Sequence, residues 1–88
     1  MRAAATQIAS RQFDNDFFRL SAAIQTQIQA KLDEMGRRLE KFSHYRMSGS
    51  DKYRLRVGDY RVIYRFNAEK GEIYLVALGH RREIYQLR

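Results

Sequence analysis

Tyr53-Arg54-Leu55-Arg56-Val57-Gly58-Asp59-Tyr60-Arg61-Val62-Ile63-Tyr64-Arg65-Phe66 decides the fold of this chain. The stretch alternates in steps of two on both sides of Gly58-Asp59, the pattern of a β-hairpin closed by a two-residue turn. Such a turn sets Val57 opposite Tyr60, and the pairing runs back through Arg56 with Arg61, Leu55 with Val62, Arg54 with Ile63, Tyr53 with Tyr64 and Lys52 with Arg65. One face, Tyr53, Leu55, Val57, Tyr60, Val62, Tyr64 and Phe66, is apolar and aromatic and requires a core. The other carries Lys52, Arg54, Arg56, Arg61 and Arg65. Like charges directly opposed on a sheet are unfavourable by something under about 1 kcal/mol per pair. Arg56 against Arg61 therefore calls for an anion between them, and a polyphosphate such as nucleic acid is the natural one.

Composition agrees. The 88 residues carry 17 Lys and Arg against 10 Asp and Glu, a formal net charge of +7. The second half of the chain holds most of the excess, and arginine outnumbers lysine by more than three to one. Arginine offers a planar fork of donors matched to phosphate and stacks on bases, so this balance favours contact over mere solubility. The length allows one small domain over residues 1–88. With no cysteine there is neither a disulfide framework nor a thiolate metal site. The longest apolar run, Ile73 to Leu78, is too short to span a membrane, and the first eight residues lack a secretory pattern, so a cytoplasmic location is expected.

Outward from the hairpin, residues 4–11 carry a thin alternation consistent with a short first strand. Phe13, Phe17 and Leu20 mark a short helix. Ser21 caps a second, from about 22 to 40, whose stripe is Ile24, Ile28, Leu32, Met35, Leu39 and Phe42. A polar connection from Phe42 to Asp51 leads into the hairpin. After the turn at Asn67 to Gly71, a strand from Glu72 to Gly79 is apolar throughout its centre, as for a strand covered on both faces. The expected fold is α+β: a small, twisted, mostly antiparallel sheet in the order β-α-α-β-β-β, with the N-terminal helical hairpin packed on one face.

This topology brings the end of the last strand, Gly79-His80-Arg81-Arg82, to the sheet edge that carries Arg56 and Arg61. Cleaving RNA through its own 2′-hydroxyl needs a proton acceptor, cations for the crowded phosphate and a donor to the leaving 5′-oxygen. Arg61 and Arg81 suit the second task. His80 and His44 have side chains suited to proton transfer. His80 is a catalytic candidate as readily as a strand-end histidine bonded to a carbonyl, whereas His44, in the connection, reads as structural. Tyr85 could stack on a base or pack on the sheet. Two distant histidines make no zinc site, and no glycine-rich phosphate loop or paired-carboxylate motif occurs, so neither metal nor cofactor is expected.

The segments Tyr53 to Tyr64 and Val76-Ala77-Leu78-Gly79-His80-Arg81-Arg82-Glu83-Ile84-Tyr85 resemble the RelE branch of the RelE/ParE superfamily of type II toxins. The resemblance is strong over the last 40 or so residues and looser over the helices. It implies a RelE-like toxin that enters the ribosomal A site and cuts mRNA, a metal-independent endoribonuclease, with a cognate antitoxin that covers the site in a heterotetramer or larger complex. By position, Arg61 and Arg81 would stabilise the phosphate and assist the leaving group, and Tyr85 would orient the reacting nucleotide. Lys52, Arg54, Arg56, Arg65 and Arg82 would bind RNA. Arg54 and Arg56 stand where relatives carry lysine, which leaves the general base open and draws attention to His80. The alternatives are a ParE-like toxin that binds DNA gyrase without cutting RNA, and an inactive scaffold acting only through its antitoxin.

Overall fold

A computed structural model describes residues 4–84. The elements are β1 (Thr6–Ala9), α1 (Arg11–Phe17), α2 (Ala22–Arg37), β2 (Tyr45–Arg46), β3 (Tyr53–Val57), β4 (Tyr60–Asn67) and β5 (Glu72–His80). They form one five-stranded sheet in the order β1-β5-β4-β3-β2. Only the β1–β5 pair is parallel. The expected α+β architecture is present, with one strand more than the sequence suggested.

The hairpin has the expected register, from Val57 opposite Tyr60 to Tyr53 opposite Tyr64. Gly58 has φ 58°, and among the described residues no non-glycine has positive φ. A positive angle at the first turn position alone belongs to the type II′ hairpin turn, which suits the twist of the flanking strands and needs glycine there.

Both helices start at serines. The Ser10 hydroxyl accepts the Phe13 N–H at 3.0 Å and the Ser21 hydroxyl that of Ile24 at 3.3 Å, each satisfying one donor of a first turn. Helix α2 stops at Arg37, short of the expected end at 40, although Leu39 still buries its side chain. Phe13, Phe17, Ile28, Leu32, Met35 and Leu39 pack onto Leu55, Val57, Val62, Tyr64, Ile73, Leu75 and Leu78 as the main core.

Strand β1 looked weak in the sequence because it is an edge strand with few apolar side chains. Gln7 reaches the Asp33 carboxylate of α2 at 2.9 Å, and Gln29 donates to the same oxygen at 2.9 Å. These hydrogen bonds, from Gln29 first and Gln7 second, hold the Asp33 carboxyl below its ordinary range.

Two features were not apparent in the sequence. A bulge interrupts the β4–β5 ladder: Ile63 faces Ala77 but Tyr64 faces Leu75, so Val76 is the extra residue. Ser10 holds it, its hydroxyl donating to the Val76 carbonyl at 2.7 Å. The far face of the sheet also has a small core of its own, Ile63, Ala77 and Ile84 with Met47 and Val76 against them.

Candidate nucleic-acid interface

The far face is where the guanidinium groups gather. In an antiparallel sheet, directly paired residues share a face. Arg54 pairs with Ile63 and Arg56 with Arg61. Arg61 in turn pairs with Gly79, which offers no side chain. A Cβ at Gly79 would come within 3.2 Å of the Ile84 Cδ1, so the absent side chain is space that Ile84 uses. Docking of Ile84 folds the chain back after β5 and carries Arg81 and Arg82 over the sheet. The Arg81 N–H donates to the Asp59 carbonyl at 2.7 Å, and the Glu83 N–H to the His80 carbonyl at 2.8 Å. These bonds tie the returning segment to the hairpin turn.

The outcome is an open cleft of about 530 Å³ lined by Tyr45, Arg54, Arg56, Arg61, Arg81 and Arg82. Arg61 Nη1 donates to the carbonyls of Gly58 and Tyr60, both at 2.9 Å. Carbonyls orient the group without cancelling its charge, and a guanidinium has further donors on Nε and Nη2 to offer a ligand. Arg81 Nε lies 3.8 Å from a carboxylate oxygen of Asp59, both side chains about half or more exposed. An exposed pair at that separation is worth at most about 1 kcal/mol, and a phosphate displaces it readily. Of the cleft's arginines, Arg81 is thus set against a carboxylate only at long range and in solvent.

Five of the nine residues singled out from the sequence therefore meet: Arg54, Arg56, Arg61, Arg81 and Arg82. Lys52 lines a neighbouring groove of about 710 Å³ that shares Arg54 with the cleft. Arg65 instead bonds Asp51 at 3.4 Å. His80 stands on the opposite face: it pairs with Tyr60, its ring meets the Tyr60 ring edge-on at 5.7 Å, and Nδ1 accepts the Arg82 N–H at 3.3 Å. The strand period of two separates it from Arg61, so the expectation that it joins the arginine cluster is corrected. Tyr85 lies outside the described residues.

His44 is structural, as expected. Its Nε2 is 2.7 Å from the Leu39 carbonyl, which only accepts, so Nε2 carries the proton and Nδ1 accepts from the Tyr64 hydroxyl at 2.5 Å. Its ring stacks on Phe66 at 4.0 Å. Burial, with Tyr53 a smaller contributor, pushes the Tyr64 phenol well above its ordinary value.

Tyr45 is the residue the sequence reading missed. Strand β2 is two residues long, too short to announce itself, yet it sets Tyr45 opposite Arg54 and into the cleft. Its nearest signal is the neighbouring His44: once one faces the core, alternation turns the other outward.

A family model described as the ParE toxin of the type II toxin–antitoxin system parDE matches residues 8–85. No curated protein sequence matches. Among solved structures, the chain is similar to the archaeal RelE–RelB complex from Pyrococcus horikoshii OT3, at 27% identity and TM-score 0.71, covering 90% of this chain and 97% of that one. It is similar to the isolated RelE toxin of E. coli at 19% identity and TM-score 0.74, covering 96% and 94%. The RelBE2 toxin–antitoxin complex of Mycobacterium tuberculosis is similar at 18% identity and TM-score 0.71, covering 91% and 94%.

Proposed function

The chain belongs to the ParE toxin family of type II toxin–antitoxin systems, and we propose that it is a ribosome-dependent endoribonuclease that cuts mRNA in the A site. The observation that carries this reading is the convergence of Arg54, Arg56, Arg61, Arg81 and Arg82 on one open cleft. A row of guanidinium groups suits a row of anions, and an RNA backbone supplies one.

In this reading the 2′-hydroxyl attacks the adjacent phosphorus. A 2′,3′-cyclic phosphate forms as the 2′-hydroxyl gives its proton to water. The bond to the 5′-oxygen breaks as that oxygen takes one proton back from water, so that the transfer balances. Arg61 and Arg81 neutralise the phosphate as charge builds on it, a preorganised electrostatic contribution. Arg54, Arg56 and Arg82 hold the flanking backbone. His80 acts as a positioning residue through its bond to the Arg82 backbone, not as acid or base. Among the described residues the cleft's lining is five arginines and Tyr45, and in this reading those cations do the work without a metal. The site operates in the cytoplasm, and a cognate antitoxin, assembled with the toxin in a heterotetramer or larger complex, covers it.

Induction in cells tests the proposal. Translation stops and messages appear cut within codons, while Arg61→Ala and Arg81→Ala relieve toxicity without unfolding the protein. The match to a ParE family model favours a second reading, in which the same fold binds DNA gyrase and cuts nothing. Replication arrest with intact messages is the result that selects it.

A further inference from the structure

We infer that Tyr45 is a nucleobase platform, on which the base of a nucleotide flanking the bound phosphate stacks; this rests on the cleft binding RNA. Among the described residues the cleft wall is five arginines and one aromatic. Tyr45 is 64% exposed, and among the described residues its ring makes no aromatic contact and its hydroxyl no hydrogen bond. Single exposed apolar residues are ordinary on a surface. This one is set apart by its place beside a row of guanidinium groups, the pairing of cationic groove and open aromatic face that single-stranded nucleic acid requires.

The ring is also held in position. His44 is fastened to the core side by the Leu39 carbonyl, the Tyr64 hydroxyl and the Phe66 ring. The next residue on an extended strand must point the other way. The register to Arg54 places Tyr45 one strand away from it, diagonal to Arg56. Arg54 and Arg56 are two residues apart along β3, about 7 Å, comparable with one nucleotide of extended single strand. A phosphate held between Arg56 and Arg61 therefore leaves a neighbouring base over Tyr45.

The experiment measures the affinity of the intact toxin for a short single-stranded RNA, made inert by a 2′-deoxy sugar at the cut position, with an abasic site moved along it. Wild type should lose roughly tenfold at one abasic position, the scale of one lost base stack. Tyr45→Ala should lose about as much on the complete RNA and nothing further on the abasic one, and Tyr45→Phe should bind as wild type does. Unchanged binding by Tyr45→Ala, additive losses, or a Tyr45→Phe as weak as Tyr45→Ala would each overturn the inference, as would wild type that binds no RNA. The measurement is independent of cleavage: a wild type with this binding pattern that cuts no message removes the ribonuclease reading and leaves the platform standing.

Discussion

The two faces of the sheet are made from the same strands and follow opposite rules. The helix-side face is dry: Ile28, Leu32 and Met35 of α2 press on Val62, Tyr64 and Ile73, all fully buried. The far face spends strand positions on guanidinium groups that repel one another, and among the described residues its core is small: Ile63, Ala77 and Ile84, with Met47 and Val76 against them. Stability and charge are thus separated by the strand period of two. A small domain tolerates an unfavourable cationic cluster because the residues that hold it together alternate with those that form the cluster.

That separation makes the largest effects cleanly divisible. Leu32→Ala should cost about 2–5 kcal/mol in denaturant unfolding and leave the cleft's chemistry intact in whatever fraction stays folded. Arg61→Ala and Arg81→Ala should lower single-turnover cleavage on programmed ribosomes by roughly 10²–10³-fold, with stability within about 0.5 kcal/mol of wild type. A large stability loss in either arginine variant would break the division. Ile84→Ala should blur it, because on the far face Ile84 is both core and anchor of the turn that carries two cleft arginines. We expect a cost of about 2 kcal/mol together with weakened cleavage, since the turn bearing Arg81 and Arg82 loses its anchor, and matched unfolding and cleavage assays read both.

The dry face has its own pH signature. Burial holds the Tyr64 phenol above its ordinary value of 10.0. Its contribution is therefore complete below pH 10 and is lost as pH rises further, because the unfolded chain gives up its proton first. The slope is at most about 1.4 kcal/mol per pH unit for one proton. Tyr64→Phe should cost about 1 kcal/mol at neutral pH, the hydrogen bond to His44, and flatten the decline that denaturant titration reads above pH 10.0. The smallest expected effect is on the wet face: Asp59→Asn should tighten RNA binding two- to fivefold, within the range of about 1 kcal/mol for an exposed pair, since Arg81 no longer shares its charge.

The hairpin was legible pair by pair because its alternation and its Gly58-Asp59 turn constrain each other. The last strand was legible as an element but not in its facing. Ile73 to Leu78 is apolar at every position, so nothing in it marks the extra residue at Val76, and the placement of His80 beyond the bulge could not be read. Strand β2 escaped for the opposite reason: two residues are too few to show a period, and with it went Tyr45. Ile84 stood in plain view five residues after Gly79, but only the backbone reveals that the missing Cβ of one is the seat of the other. The arginine cluster itself was readable, because charge opposed to charge in a known register demands an explanation that packing does not provide.

The parallel pairing of β1 with β5 has a consequence during synthesis. Ser10, just past β1, bonds Val76 in β5, 66 residues away, whereas β3, β4 and β5 form a local meander. Long-range parallel pairing closes late, after local contacts have formed. The first strand to leave the ribosome thus waits unpaired until the last has been made. Until then the nascent toxin is a chain with both an open sheet edge and exposed apolar side chains, vulnerable to capture or proteolysis before it becomes dangerous.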